Sequence, residues 1–213
     1  MATPTRSVII EACIDSLADA KTAAANGADR LELCAALDLD GLTPSRDLIE
    51  SVKEQVNIPI KVMIRQRSGD FTYTKDDKRL IAKDIELVRS AGIRDIVYGS
   101  LAGGRLDMDD LKKVYALAQP DTMTIHKAID QSTDPLKDVL ELVKWAHQDK
   151  VNLSILSSGQ ADTALEGTFR LKRMQQLCGD KVELIVAGKV TPRNLKQLIN
   201  LIPAPAFHGR HIL

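Results

Sequence analysis

The chain has 213 residues, with 29 Lys plus Arg against 29 Asp plus Glu, so its formal charge cancels. That balance gives no basic footprint for nucleic acid or for a polybasic membrane contact. With 44% hydrophobic and 27% charged residues but only three Phe, three Tyr and one Trp, it reads as a folded protein whose core is Leu, Ile, Val and Ala.

The opening Met-Ala-Thr-Pro-Thr-Arg lacks the apolar stretch of a signal peptide. No run reaches the roughly 18 apolar residues of a membrane span. Cys13, Cys34 and Cys178 are an odd number and too few for a disulfide scaffold, which points to a reduced, cytoplasmic protein.

Apolar, β-branched runs predict strands at Val8–Ala12, Arg30–Leu33, Ile60–Ile64, Asp95–Tyr98, Thr122–Ile125, Asn152–Leu156, Glu183–Ala187 and Ala206–His208. Helical segments fill the gaps. Thr43-Pro44, Asp134-Pro135 and Thr191-Pro192 each place a capping side chain before a proline suited to a first helical turn. Asn26-Gly27, Ala91-Gly92 and Cys178-Gly179 supply glycine where a helix must stop. Each interval is the size of one βα unit.

Eight such units leave a closed (β/α)8 barrel of the TIM type or an open doubly wound sheet. The open sheet would carry a Gly-rich turn after its first strand, where Glu11-Ala12-Cys13-Ile14-Asp15 stands instead. The reading is therefore an α/β barrel forming a single domain over residues 1–213. After His208 only Gly209-Arg210-His211-Ile212-Leu213 follow, too few for an eighth outer helix. The first and eighth strands, with Ile10, Phe207, Ile212 and Leu213, should then expose apolar surface. A second copy in a two-fold homodimer would cover it, or else the segment Ala2–Arg6 would fold across the seam.

Barrel chemistry sits where strands end and βα loops begin. Those positions hold Glu11, Cys13 and Asp15, then Glu32 and Cys34, then Arg65, Arg67 and Asp70. Tyr98 and Ser100, His126, Lys127 and Asp130, Ser157 and Ser158, Lys189 and His208 complete the set. Strand alternation puts Glu11 with Cys13 and Glu32 with Cys34 on shared faces. If both glutamates point inward, the thiols form a layer above them, and the buried charge needs a cation, for which Arg65 is the candidate.

His126 followed by Asp130 suits general acid–base work or metal ligation. Glu11, Glu32, Arg65, His126 and Asp130 thus form the candidate catalytic set around a small-molecule pocket. Arg67, Ser158, Gly159 and Gly188 are candidate ligand-binding residues. The Ser157-Ser158-Gly159-Gln160 and Ala187-Gly188-Lys189 turns offer backbone N–H groups of the kind that bind phosphate. A glutamate–arginine pair can equally be structural, and a buried cysteine can be a small hydrophobe.

Several longer motifs carry a resemblance. They are Glu11-Ala12-Cys13-Ile14-Asp15-Ser16, Asn26-Gly27-Ala28-Asp29-Arg30-Leu31-Glu32-Leu33-Cys34 and Gly41-Leu42-Thr43-Pro44-Ser45. Met63-Ile64-Arg65-Gln66-Arg67-Ser68-Gly69-Asp70-Phe71, His126-Lys127-Ala128-Ile129-Asp130, Ser157-Ser158-Gly159-Gln160 and Ala164-Leu165-Glu166-Gly167 follow in order. From about Ile10 to His208 the chain resembles the copper homeostasis protein CutC family.

The resemblance implies a cytoplasmic, oligomeric TIM barrel tied to copper tolerance. It also implies Cu(I) binding through cysteines that match Cys13 and Cys34, and soft thiolates are the ligands Cu(I) prefers. The sequence departs from the family pattern at Gln66, Ser68 and Lys127, where Pro, Gly and Arg are usual, and at Ala187-Gly188-Lys189, where a run of glycines is expected. Two readings stay open: a Cu(I)-binding barrel, or an enzyme acting on a small phosphorylated or carboxylated metabolite.

Overall fold

Eight parallel strands close on themselves in the computed structural model, which describes residues 8–213. They are β1 (Ile9–Ile14), β2 (Arg30–Leu33), β3 (Ile60–Met63), β4 (Asp95–Tyr98), β5 (Met123–Ile125), β6 (Leu153–Ser157), β7 (Val182–Val186) and β8 (Ala206–Gly209). Each pairs with the next in sequence, and β8 closes on β1 with His208 opposite Glu11. The β1–β2 register sets Cys13 opposite Glu32, and the β2–β3 register sets Glu32 opposite Lys61. The predicted strand positions hold to within one or two residues.

Seven helices cover the barrel among the described residues: α1 (Leu17–Ala25), α2 (Arg46–Gln55), α3 (Lys75–Ser90), α4 (Met108–Ala118), α5 (Pro135–Asp149), α6 (Thr168–Cys178) and α7 (Pro192–Leu201). None of these helices is long and apolar enough to cross a membrane. A short hairpin, Leu101–Ala102 with Arg105–Leu106, is inserted between β4 and α4.

The caps explain where helices begin. Asp134 accepts the Lys137 N–H ahead of Pro135, and Thr191 forms a capping box with Asn194 ahead of Pro192. The Thr43-Pro44 signal falls two residues early, because Ser45 caps α2. The Thr43 hydroxyl instead accepts the Arg65 N–H at 2.8 Å, tying the loop after β2 to the end of β3.

Alternation along the strands separates two environments. Leu31, Leu33, Val62, Ile64, Ile96, Ile125 and Phe207 belong to the large core between sheet and helices. Two smaller apolar clusters fill parts of the interior, one of Cys13, Cys34, Met63 and Val97, the other of Leu156, Ile185, Ala187 and Ala206. Buried polar side chains occupy the space between them.

Residues 210–213 form a turn and not a helix, as expected, but the exposure expected at the seam is largely missing. Phe207 is 0% and Ile212 1% exposed, both within the main core. Ile10 is half-buried, and Leu213 keeps 40% of its surface. The turn folds Ile212 back over β8, doing with one side chain part of what a helix would do. The predicted ground for a homodimer thereby shrinks to a shallow groove beside Leu195, Ile199 and Leu213. Ala2–Arg6, the other predicted cover, lies outside the described residues.

If Ile212 seals the seam, Ile212→Ala leaves a hole against β8. It should lower the urea unfolding free energy by about 2 kcal/mol. An unchanged denaturation midpoint would show that the seam is closed by other residues.

Candidate functional site

The interior toward the strands' N-terminal ends is ionic. Glu11, on β1, is fully buried. Its Oε2 accepts from Arg30 Nε on β2 and lies 3.5 Å from Lys61 Nζ on β3. Its Oε1 lies 2.9 Å from His208 Nδ1 on β8. The two terminal nitrogens of Arg30 reach Glu183 on β7 at 3.1 and 2.8 Å, and Lys61 donates to Thr124 at 2.8 Å. Burial alone would raise the Glu11 pKa. Lys61, the His208 hydrogen bond and Arg30 outweigh it and hold the carboxyl far below its ordinary 4.5.

The expected Arg65–glutamate pairing is not formed. Arg65 Nη1 donates to the carbonyls of Leu39 and Asp40 at 3.2 Å and of Gly41 at 3.3 Å, and Nη2 to that of Gly69 at 2.9 Å. Arg65 braces loops at the barrel mouth, while Arg30, Lys61 and His208 neutralise the glutamate. Alternation back from Glu32 and Met63 places Arg30 and Lys61 inside. A reading confined to the C-terminal ends of strands passes over them.

Both thiols lie where alternation placed them. Cys13 Sγ is 3.8 Å and Cys34 Sγ 3.7 Å from the same oxygen, Glu32 Oε1, and His208 Nε2 is 4.0 Å from it. Ligand atoms of Cys13, Glu32 and His208 all lie within 4.8 Å of one another. A hydrogen bond from the Cys34 thiol lowers the Cys13 pKa to about 5 against the opposing effect of burial, with help from His208. That same bond, with burial, raises Cys34.

Burial lifts Glu32 to about 8, aided by the negative charge of Cys13 and Glu11 though opposed by His208. For His208, burial disfavours the proton, but Glu32, Cys13 and Glu11 outweigh it and raise the pKa. At neutral pH the site therefore holds a Cys13 thiolate beside a protonated His208, above an ionised Glu11.

This cluster forms the floor of a cavity of about 440 Å³ at the barrel mouth, walled by Arg65, Phe71, His126, Leu156 and Ser158. His126 is buried, and its Nδ1 accepts the Ala128 N–H at 3.1 Å, capping the turn Lys127–Gln131. Burial and the Arg65 charge push its pKa down to about 3, so the ring is neutral.

Asp130 borders the cavity, but its carboxylate is committed to the loop after β6. It accepts from Ser157 Oγ at 2.5 Å, Ser158 N at 2.8 Å and Gln160 N at 3.0 Å. The Gly159 N–H goes to Ser157 Oγ at 2.9 Å. The Ser158, Gly159 and Gln160 amides read as phosphate donors are thus already engaged. Gly159 and Gly188 serve close packing: a Cβ on Gly159 would stand 2.6 Å from Gly167 O, and one on Gly188 2.8 Å from Ser158 Cβ. Arg67 stands apart, paired with Asp70 at 3.0 Å and Asp77 at 3.3 Å. Cys178, the last residue of α6, is buried and far from neutral-pH reactivity, since burial pushes its thiol up to about 12.

The sequence model of the CutC family matches residues 8–212. A copper homeostasis protein cutC homolog of Caenorhabditis elegans is 35% identical over 209 residues, covering 96% of this chain and 80% of its own length. The Homo sapiens homolog is 33% identical over 201 residues, covering 94% and 72%. A Streptococcus agalactiae crystal structure, described as a CutC copper homeostasis protein, superposes with a TM-score of 0.89 at 24% identity. That superposition spans 97% of this chain and 100% of the other, and it supports the barrel fold.

The charge network makes an acid-side prediction. Glu11→Gln leaves Lys61 and Arg30 short of a buried counter-charge and should cost about 3 kcal/mol at neutral pH. The lowered pKa means that this contribution is fully present above the ordinary 4.5 and is lost as pH falls below it toward the folded value. Urea titrations from pH 7 downward should therefore show wild-type stability falling below pH 4.5 more steeply than that of Glu11→Gln. Parallel acid limbs would remove Glu11 from the network.

Proposed function

The chain belongs to the CutC family, and from that premise we propose that it binds Cu(I) through Cys13 and Cys34 at the floor of the barrel-mouth cavity. The observation that carries this reading is the convergence of two thiols, from neighbouring strands, on one Glu32 oxygen at 3.8 and 3.7 Å. Soft sulfur donors favour a monovalent copper ion over the harder divalent ions that carboxylates select. The names of the relatives, copper homeostasis proteins, support the same cargo.

Cys13 is the entry ligand, because its thiol is already ionised at neutral pH. Cys34 holds its proton more tightly and releases it as the second sulfur engages the ion. His208 is near enough to stabilise the first thiolate before the ion arrives. Glu32, a hard oxygen donor, positions the sulfurs through one oxygen that lies 3.8 and 3.7 Å from them. All three cysteines are free, which supports residence in a reducing compartment such as the cytoplasm.

Anaerobic titration with Cu(I) against a chromophoric chelator tests the site. The wild-type protein should take up one ion per chain, with release of about one proton, and Cys13→Ser/Cys34→Ser should lose that uptake. Equal binding by the two proteins would overturn the thiol site.

A further inference from the structure

The wall of the same cavity holds two features that the thiol site does not use. Arg65 is 3% exposed, and among the described residues its guanidinium has only carbonyl partners and no carboxylate. Its Nε is buried without a hydrogen-bond partner. A buried cation without a counter-charge is costly, and an arrangement that retains one is built to receive an anion. The second feature is His126 Nε2, also buried and unpartnered. Since Nδ1 accepts the Ala128 N–H, the neutral ring carries its proton on Nε2, which is therefore a donor.

The two donors are held on one wall. Arg65 Cζ lies 4.8 Å from the centre of the Phe71 ring, and the His126 ring centre lies 4.6 Å from it. Gly99 gives the imidazole its room, because a Cβ there would stand 2.7 Å from His126 Cε1 and Nδ1. Four carbonyl bonds fix the guanidinium plane on the other side. Neither donor can turn away to find a partner within the protein.

We propose that the barrel mouth binds a small organic carboxylate, its oxygens accepting from Arg65 Nε–H and His126 Nε2–H and its carbon skeleton lying against Phe71. The Arg65 charge, without a carboxylate partner, calls for a negative charge beside it. A phosphate dianion would need further donors, and two backbone amides of the cavity wall, those of Ser158 and Gln160, are committed to Asp130. The apolar Phe71 ring, against which both side chains lie, suits a carbon-bearing ligand better than an inorganic one. This narrows the small-molecule reading of the mouth to one chemical class and does not depend on copper.

The test uses metal-free wild-type protein with acetate, pyruvate and inorganic phosphate as probes, at matched ionic strength. Long-range 1H–15N spectra of the imidazoles should first show His126 as the Nε2–H tautomer. Acetate and pyruvate should then shift that resonance in a saturable manner and raise the melting temperature, and phosphate should do neither. His126→Asn keeps an acceptor for the Ala128 N–H but loses the donor, so it should fold normally and bind pyruvate about tenfold more weakly.

Arg65→Gln should abolish binding. If that variant unfolds because its loops lose their brace, His126→Asn still decides. Cys13→Ser/Cys34→Ser should bind pyruvate as the wild type does, which separates failure of this site from failure of the copper site. The proposal is overturned if neither carboxylate shifts the His126 resonance, if phosphate binds as tightly, or if His126→Asn binds pyruvate unchanged.

Discussion

A carboxylate with no exposed surface in the middle of a barrel sets the terms for everything around it. Glu11 could be ionised there only if several strands each contributed a positive or donating group, and three do: Arg30 from β2, Lys61 from β3 and His208 from β8. Arg30 in turn needs Glu183 on β7, and Lys61 needs Thr124 on β5. One buried charge thereby fixes the relative positions of six strands. Apolar packing supplies the bulk of the driving force through the outer core, but that packing is non-directional. The charge network adds directionality, since each hydrogen bond has one acceptable geometry.

The site above depends on that lower layer. His208 touches both levels, with Nδ1 toward Glu11 and Nε2 toward Glu32. Its proton is retained because anionic groups surround it, and its positive charge in turn favours the Cys13 thiolate. Glu32 receives less cationic support and so keeps its own proton to a much higher pH than Glu11. Two glutamates on adjacent strands thus end in opposite ionisation states, by the same logic that separates paired carboxylates in enzyme sites.

The sequence made some of this plain and hid the rest for identifiable reasons. Strand–helix alternation was legible because each strand is short, apolar and bounded by a cap or a glycine. Alternation along β1 and β2 was enough to bring Glu11, Glu32, Cys13 and Cys34 together. The counter-ions were harder. Arg65 is the conspicuous cation beyond β3, yet its guanidinium turns to the carbonyls of loop residues 39–41, a choice made by loop conformation that no residue pattern announces. Asp130 was read beside His126 because the two are near in sequence. The 3₁₀ turn that His126 caps instead sends that carboxylate to the β6 loop. Ile212 gave no periodic signal, because Ile212 and Leu213 are too short an apolar run to show one.

The contact between Glu11 and His208 spans 197 residues of sequence. It therefore bears on time as well as on stability. In a chain that has formed β1 through β7 but not yet docked β8, Glu11 remains open to water on one side and keeps its hydration. Docking β8 strips that water and delivers the imidazole in one event, so partial docking incurs the desolvation cost without the compensating bond. Contacts this distant form slowly because a long loop must first be closed. The chain thus has little to gain from a nearly shut barrel, and the last strand's arrival should behave as a single cooperative step.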